Sequence, residues 1–248
     1  MRRNRDRVRL GFVWALLLFV IASPSVGGDI QGRIVCIDPG HQLYANSTPE
    51  PIGPGATTLK PCVSSGTSGP VSGPEHAVNL DVGLRLRDIL QSYGVTVVMT
   101  RTIADVDLCN SERAAIANAA GADLAIRLHC NSGTAHSCFT LYPALIEGWT
   151  DDIYEKSLSA AEIIQPAYAA YTGIPDAGLT PRSDISGFNW SDVPVILPEM
   201  LHMQNPEDDI RAASPAFRQV MAEGLADGIV QYLETLPPPT DVPFWRVY

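Results

Sequence analysis

Short apolar runs alternate with amphipathic stretches along this chain, and that alternation restricts the folds open to it. Residues 33–37 read as a strand buried on both faces. Residues 75–92 carry Val78, Val82, Leu86 and Ile89 at helical spacing, with Gly94 just past the end as a C-terminal cap. Residues 95–99 form the next strand, residues 110–120 suit a helix capped by Asn110, and residues 123–128 and 138–142 read as two more strands. Residues 151–171 are largely helical, with Pro166 kinking or ending the helix, and residues 193–197 are a strand. The last helix has Ser214 as N-cap, Pro215 at its first position, and Phe217, Met221, Leu225 and Ile229 on one face. Residues 42–74, rich in Gly, Pro, Ser and Thr, read as a long loop. The order strand–helix–strand–helix–strand argues an α/β fold with a mainly parallel sheet.

Chemistry collects at the ends of these apolar runs. His41 follows residues 34–40, His129 follows residues 124–128, and Glu199 follows residues 193–198. Glu75 opens the helical pattern after Gly73-Pro74. Ligands of an open α/β sheet gather at the carboxyl ends of its strands, so one rule places all four at one rim. Taken singly, each has a plainer reading: a turn histidine, a glutamate complementing a helix dipole, a core histidine, a surface acid. Taken together, two imidazoles and a carboxylate form the three-ligand set of a catalytic zinc, which leaves a position open. Glu199 is then the expected base, Asp38 is expected to orient the His41 ring or brace its turn, and Asn131 is expected to line the cleft. His202 is a candidate neighbour of Glu199, and His136 lies in a loop where it is expected to meet substrate. The chain holds no Gly-x-Ser-x-Gly elbow, phosphate loop, dinucleotide fingerprint or His-Glu-x-x-His helix.

The N-terminus carries Arg2, Arg3, Arg5, Arg7 and Arg9, then an apolar run from Leu10 to Ala22, then small residues. This reads as a signal peptide over residues 1–27, with cleavage after Ala22 or Gly27, and implies export without a lasting membrane anchor. Its loss removes five of the 17 basic and one of the 27 acidic residues, leaving a net charge of −14. Bulk charge of that sign disfavours nucleic acid and anionic membranes as partners. The remaining ~220 residues suit one domain, residues 28–236, followed by a Pro-rich tail over residues 237–248. Nothing demands an obligate interface, and a monomer is expected. Of five cysteines, Cys36 sits in an apolar strand and is expected to be free; the short loop between them suggests Cys130–Cys138, with Cys62–Cys109 as the second bridge.

Several stretches resemble the zinc-dependent N-acetylmuramoyl-L-alanine amidases of the amidase-3 type. They are residues 34–41 (Ile-Val-Cys-Ile-Asp-Pro-Gly-His), residues 75–80 (Glu-His-Ala-Val-Asn-Leu), Thr100-Arg101, Arg113, residues 128–131 (Leu-His-Cys-Asn) and residues 194–199 (Pro-Val-Ile-Leu-Pro-Glu). The resemblance spans residues 32–236 and is strongest to compact mycobacterial-type members. It implies a twisted six-stranded sheet with flanking helices, one Zn2+ per chain held by His41, Glu75 and His129, and Glu199 as the catalytic glutamate. The implied reaction is hydrolysis of the amide between N-acetylmuramic acid and L-alanine of the peptidoglycan stem, in wall remodelling or recycling, in the periplasm or cell-wall space. The implied partners are muropeptides. A zinc exopeptidase and a non-catalytic wall-binding module are the alternatives. Gln42, Cys130 and Met200-Leu201-His202 depart from the family pattern, as does the long insertion before Glu75. In some members a helix blocks the site; residues 143–190 are the place for one, and their length predicts an open site.

Overall fold

In a computed structural model, residues 30–238 are described; the signal-peptide reading and residues 239–248 of the tail lie outside them. Ten strands and six helices follow in order among these residues: β1 Ile34–Pro39, β2 Asn46–Pro51, β3 Leu59–Val63, β4 Ser68–Gly69, β5 Gly73–Pro74, α1 Glu75–Ser92, β6 Thr96–Met99, α2 Asn110–Ala120, β7 Leu124–Asn131, β8 Cys138–Pro143, α3 Tyr154–Thr172, β9 Asp176–Arg182, α4 Ser186–Asn189, β10 Val195–His202, α5 Pro206–Ala213 and α6 Pro215–Thr235. Six strands form the central sheet in the order β6-β1-β7-β10-β8-β9. The four from β6 to β10 run parallel, β8 is antiparallel to β10, and β9 is parallel to β8. The expected α/β sheet flanked by helices is therefore present.

Alternation along the strands divides the core between two faces. Val35 and Ile37 of β1 pack with Val78, Val82 and Leu86 of α1 and Met221, Leu225 and Ile229 of α6. Cys36 faces the other way and packs with Ala117 of α2 and Phe188 of α4. The helical spacing read for α1 and α6 thus marks their buried faces, with Ile89 and Phe217 only partly buried. α6 begins as expected, with the Ser214 side chain accepting from the Phe217 N–H and Pro215 inside the first turn.

Several boundaries differ from expectation. Helix α2 is capped by Cys109 rather than Asn110, and the Glu112 carboxylate accepts from the Cys109 N–H. Pro166 lies inside α3, which continues to Thr172. Strand β9 and helix α5 fall where no element was expected. Residues 42–74 are not one loop: β2 pairs antiparallel with β3, and β4 with β5. Their prolines hide the hairpin because proline cannot donate to a ladder, yet an isolated two-stranded ribbon tolerates it at its edges. The β2–β3 hairpin is anchored from outside, as Trp149 Nε1 donates to the Pro54 carbonyl and Trp190 Nε1 to the Pro51 carbonyl. A Cys62–Cys109 disulfide ties β3 to the start of α2, as expected.

The expected Cys130–Cys138 bridge is absent, and both thiols are buried and free, as is Cys36. The sheet order explains why. β10 lies between β7, which carries Cys130, and β8, which opens with Cys138. Two strand spacings separate the backbones by roughly 9–10 Å, beyond the ~7 Å that a disulfide can bridge.

Candidate metal centre

Three elements converge on one end of the parallel strands. The backbone leaves β1 at Pro39 and turns at Gly40, whose N–H donates to the Leu128 carbonyl. His41 follows at φ 60, a left-handed conformation that few side chains adopt. Buried arginines hold this turn: Arg101 donates to the Pro39, Gly40 and His76 carbonyls, and Arg113 to the Pro39 and His41 carbonyls. Gly40 also makes room for chemistry, since a Cβ there would lie 2.3 Å from Nε2 of His129. Gly66 does the same on the other side, where a Cβ would lie 2.6 Å from Glu75 Oε2.

Glu75, the first residue of α1, is the hub. Its Oε2 lies 3.1 Å from His41 Nε2 and its Oε1 lies 3.1 Å from His129 Nδ1. The Thr67 N–H donates to Oε2, and the Cys130 N–H and Asn79 side-chain amide to Oε1. Burial works to raise this carboxyl, but the bonds to His129 and His41 hold it well below the usual carboxylate range. Burial also dominates at His129, whose imidazole is pushed down to about 4 and is therefore neutral at pH 7. On His41, Nδ1 lies 2.9 Å from the Ser64 carbonyl. That contact directs Nε2 toward Glu75, the arrangement that orients histidine ligands. One ligand atom from each of His41, Glu75 and His129 lies within 4.8 Å of the other two. Two imidazoles and a carboxylate at this spacing suit a divalent ion such as zinc.

Glu199 lies opposite His129 in the β10–β7 pairing and within β10, not past its end as expected. Its Oε2 is buried without a hydrogen-bond partner. Burial, with Glu75 nearby, pushes its carboxyl up to about 8, while Arg182 pulls it down. His41, Glu75, His129 and Glu199 line one open cleft of about 500 Å³.

The remaining candidates divide. Asn131 lines the cleft, and its amide nitrogen lies 3.0 Å from His202 Nε2. His202 is buried, with Nδ1 2.9 Å from the Ser137 carbonyl, and does not line the cleft. Asp38 does not touch the His41 ring. It binds Thr100 Oγ1 at 2.6 Å, Arg113 Nη1 at 2.7 Å and Arg127 Nε at 2.8 Å, and so braces the turn through Arg113. Burial works to raise its carboxyl, but the guanidiniums of Arg113 and Arg127 and the Thr100 hydroxyl hold it far below the usual range. His136 lies between two free cysteines, pairs with buried Asp208 at 2.7 Å, and does not line the cleft. The sequence reading gave no role to Ser64, Thr67, Arg101 or Asn79. A signal for Arg127 was present: an arginine in an apolar strand requires a buried partner, and Asp38 sits in the neighbouring strand.

The segment 143–190 does not place a helix over the cleft. α3 packs along α6, and no α3 residue lines the opening; Arg182, Ile185 and Ser186 form part of one wall instead.

A family model described as N-acetylmuramoyl-L-alanine amidase (Amidase_3) matches residues 35–231. The chain belongs to this family. Among its amidase relatives, N-acetylmuramoyl-L-alanine amidase Rv3717 of Mycobacterium tuberculosis is 33% identical over 244 residues, covering 91% of this chain and 97% of the relative. The crystal structure of the amidase Ami1 from Mycobacterium smegmatis superposes with a TM-score of 0.75 at 32% identity, over 84% of this chain and all of that one. The apo form of Ami1 from Mycobacterium abscessus gives the same TM-score at 30% identity, over 82% of this chain. The compact mycobacterial-type resemblance is thereby confirmed at the level of the amidase domain. Among the described residues no helix is long and apolar enough to cross a membrane.

Proposed function

We propose that this amidase cleaves the amide between the lactyl group of N-acetylmuramic acid and L-alanine of the peptidoglycan stem peptide, using one zinc ion held by His41, Glu75 and His129. The observation that carries this reading is the pairing of that cluster with Glu199, a half-buried glutamate whose Oε2 is buried without a partner and which lines the same cleft. Bound zinc supplies a Lewis acid that polarises the scissile carbonyl and makes water nucleophilic near neutral pH.

The protein's own groups do the rest. Glu199 accepts the proton of the attacking water and returns it to the departing L-alanine nitrogen, so the C–N bond breaks to a carboxylate and a free amine. A nearby dication would favour the ionised form of Glu199, opposing the effect of its burial. His129, neutral because of its burial, offers a lone pair instead of a proton. Ser64 and the Arg101 and Arg113 clamps hold His41 in place. Asn131 positions substrate beside the centre, with His202 steadying its amide. The N-terminal pattern and the acidic chain support export and action in the cell-wall space.

Mass spectrometry of products from a defined muropeptide tests this. With zinc present, stem peptides with a free L-alanine amine should appear, and chelation should abolish them. Cleavage only of simple peptides would instead indicate an exopeptidase. Binding to wall without any product at saturating zinc would indicate a non-catalytic module.

A further inference from the structure

One end of the cleft carries a charge opposite to that of the protein around it. The chain has 27 acidic and 17 basic residues and only two lysines, Lys60 and Lys156. Beyond Glu75 and Glu199, the charged side chains lining the cleft, apart from the histidines, are Lys60, Arg127 and Arg182. Arg127 is buried and committed to Asp38. Lys60, on β3, and Arg182, at the end of β9, are each about 40% exposed and share one acid, Asp184. Arg182 places Nε and Nη2 on the two Asp184 oxygens at 2.7 and 2.8 Å, leaving Nη1 without a partner among the described residues. Lys60 Nζ lies 3.7 Å from Asp184 Oδ2 and donates to the Asp184 carbonyl. Two cations against one acid leave a net positive charge at this end of the cleft.

We propose that Lys60 and Arg182 form a subsite for a carboxylate on the peptide half of the substrate. This rests on the amidase reading and adds to it a choice among stem peptides. Once the lactyl carboxyl is tied up in the scissile amide, the disaccharide is neutral, so the anionic groups of a muropeptide belong to its peptide. The sheet register gives the distance. Phe139 faces Glu199, and Pro143, four residues along β8, faces Arg182 across to β9. Two strand spacings and four residue rises put the Glu199 and Arg182 backbones roughly 16 Å apart. Both side chains line the cleft, and extended peptide advances about 3.3–3.6 Å per residue. The spacing therefore fits a carboxylate two or three residues into the stem. A guanidinium with a spare N–H edge beside an ammonium favours a carboxylate over a neutral carboxamide at that point.

The test uses the zinc-loaded full chain and muropeptides differing only in whether the carboxyl of the second or third stem residue is free or amidated. The wild type should show a kcat/KM ratio of roughly fivefold in favour of a free carboxylate at one of these positions, expressed in KM and shrinking with added salt. Arg182→Gln combined with Lys60→Met should bring the ratio to about one, while Arg182→Lys should keep part of it. A wild-type ratio of one at both positions, or a double variant retaining the full ratio, overturns the proposal. Calorimetric binding of the same uncut ligands to a Glu199→Gln protein separates the two levels. A binding preference without wild-type turnover would indict the amidase reading and spare the subsite. Equal binding of acid and amide would do the reverse.

Discussion

Glu199 stands directly opposite His129, one on β10 and one on β7, in adjacent parallel strands. Strand pairing rather than a flexible loop therefore sets the distance from the proposed base to the proposed metal ligand, and the two proposed roles can be separated by substitution. Glu199→Gln should keep zinc at full occupancy while lowering kcat by about 10²–10⁴-fold. His41→Ala should lose the metal as well. Metal analysis beside turnover checks both, and unchanged turnover in Glu199→Gln would remove that residue from the reaction.

Gly40 is the tightest point of the centre. A methyl at that position would lie 2.3 Å from His129 Nε2, so the ring or the turn must move. Gly40→Ala should weaken zinc binding by roughly 10–100-fold, the scale seen when ligand orientation is disturbed. Competition against a chelator of known affinity measures this. Wild-type affinity in the variant would show that the turn yields without cost.

Asp38 predicts an acid-sensitive fold. Its folded carboxyl is held below the unfolded value of about 3.9. Its contribution to stability is therefore complete above about pH 4 and is lost as pH falls toward the folded value. Asp38→Asn should destabilise by about 3–5 kcal/mol at pH 7, because Arg113 and Arg127 lose their buried counter-charge. In thermal melts, the gap between wild type and variant should narrow from pH 5 to pH 3. A constant gap would mean that the ion pair does not drive the pH response.

The Cys62–Cys109 bridge closes a separation of 47 residues between the hairpin and α2. Replacing both cysteines with serine should cost about 2–4 kcal/mol. Reductant should lower the melting temperature of the wild type and leave that of the variant unmoved. Equal sensitivity of both proteins to reductant would place the effect elsewhere.

Much of this could be read from residues alone because period and spacing survive folding. Val78, Val82 and Leu86 mark the buried face of α1, and Met221, Leu225 and Ile229 that of α6, as their spacing requires. The four centre residues were legible because the rim of a parallel sheet gathers the carboxyl-end halves of its strands, although His129 and Glu199 lie inside β7 and β10 and not past their ends. The hairpin before Glu75 was not legible, since Pro49, Pro51 and Pro61 suppress the strand signal while Trp149 and Trp190, distant in sequence, supply the anchoring. The Cys130–Cys138 assignment failed for a related reason. Eight residues of separation look close along the chain, but β10, more than fifty residues later, inserts between the two strands. Lys60 and Arg182 carry no local pattern at all and meet only through Asp184.

The backbone angle at His41 limits what can replace it. A residue at φ 60 must tolerate a geometry that histidine, asparagine and aspartate accept more readily than glutamate or cysteine do. Redesign of the centre for softer metals through thiolate ligation would therefore start at position 129, which has ordinary strand geometry, and leave position 41 to the imidazole it has.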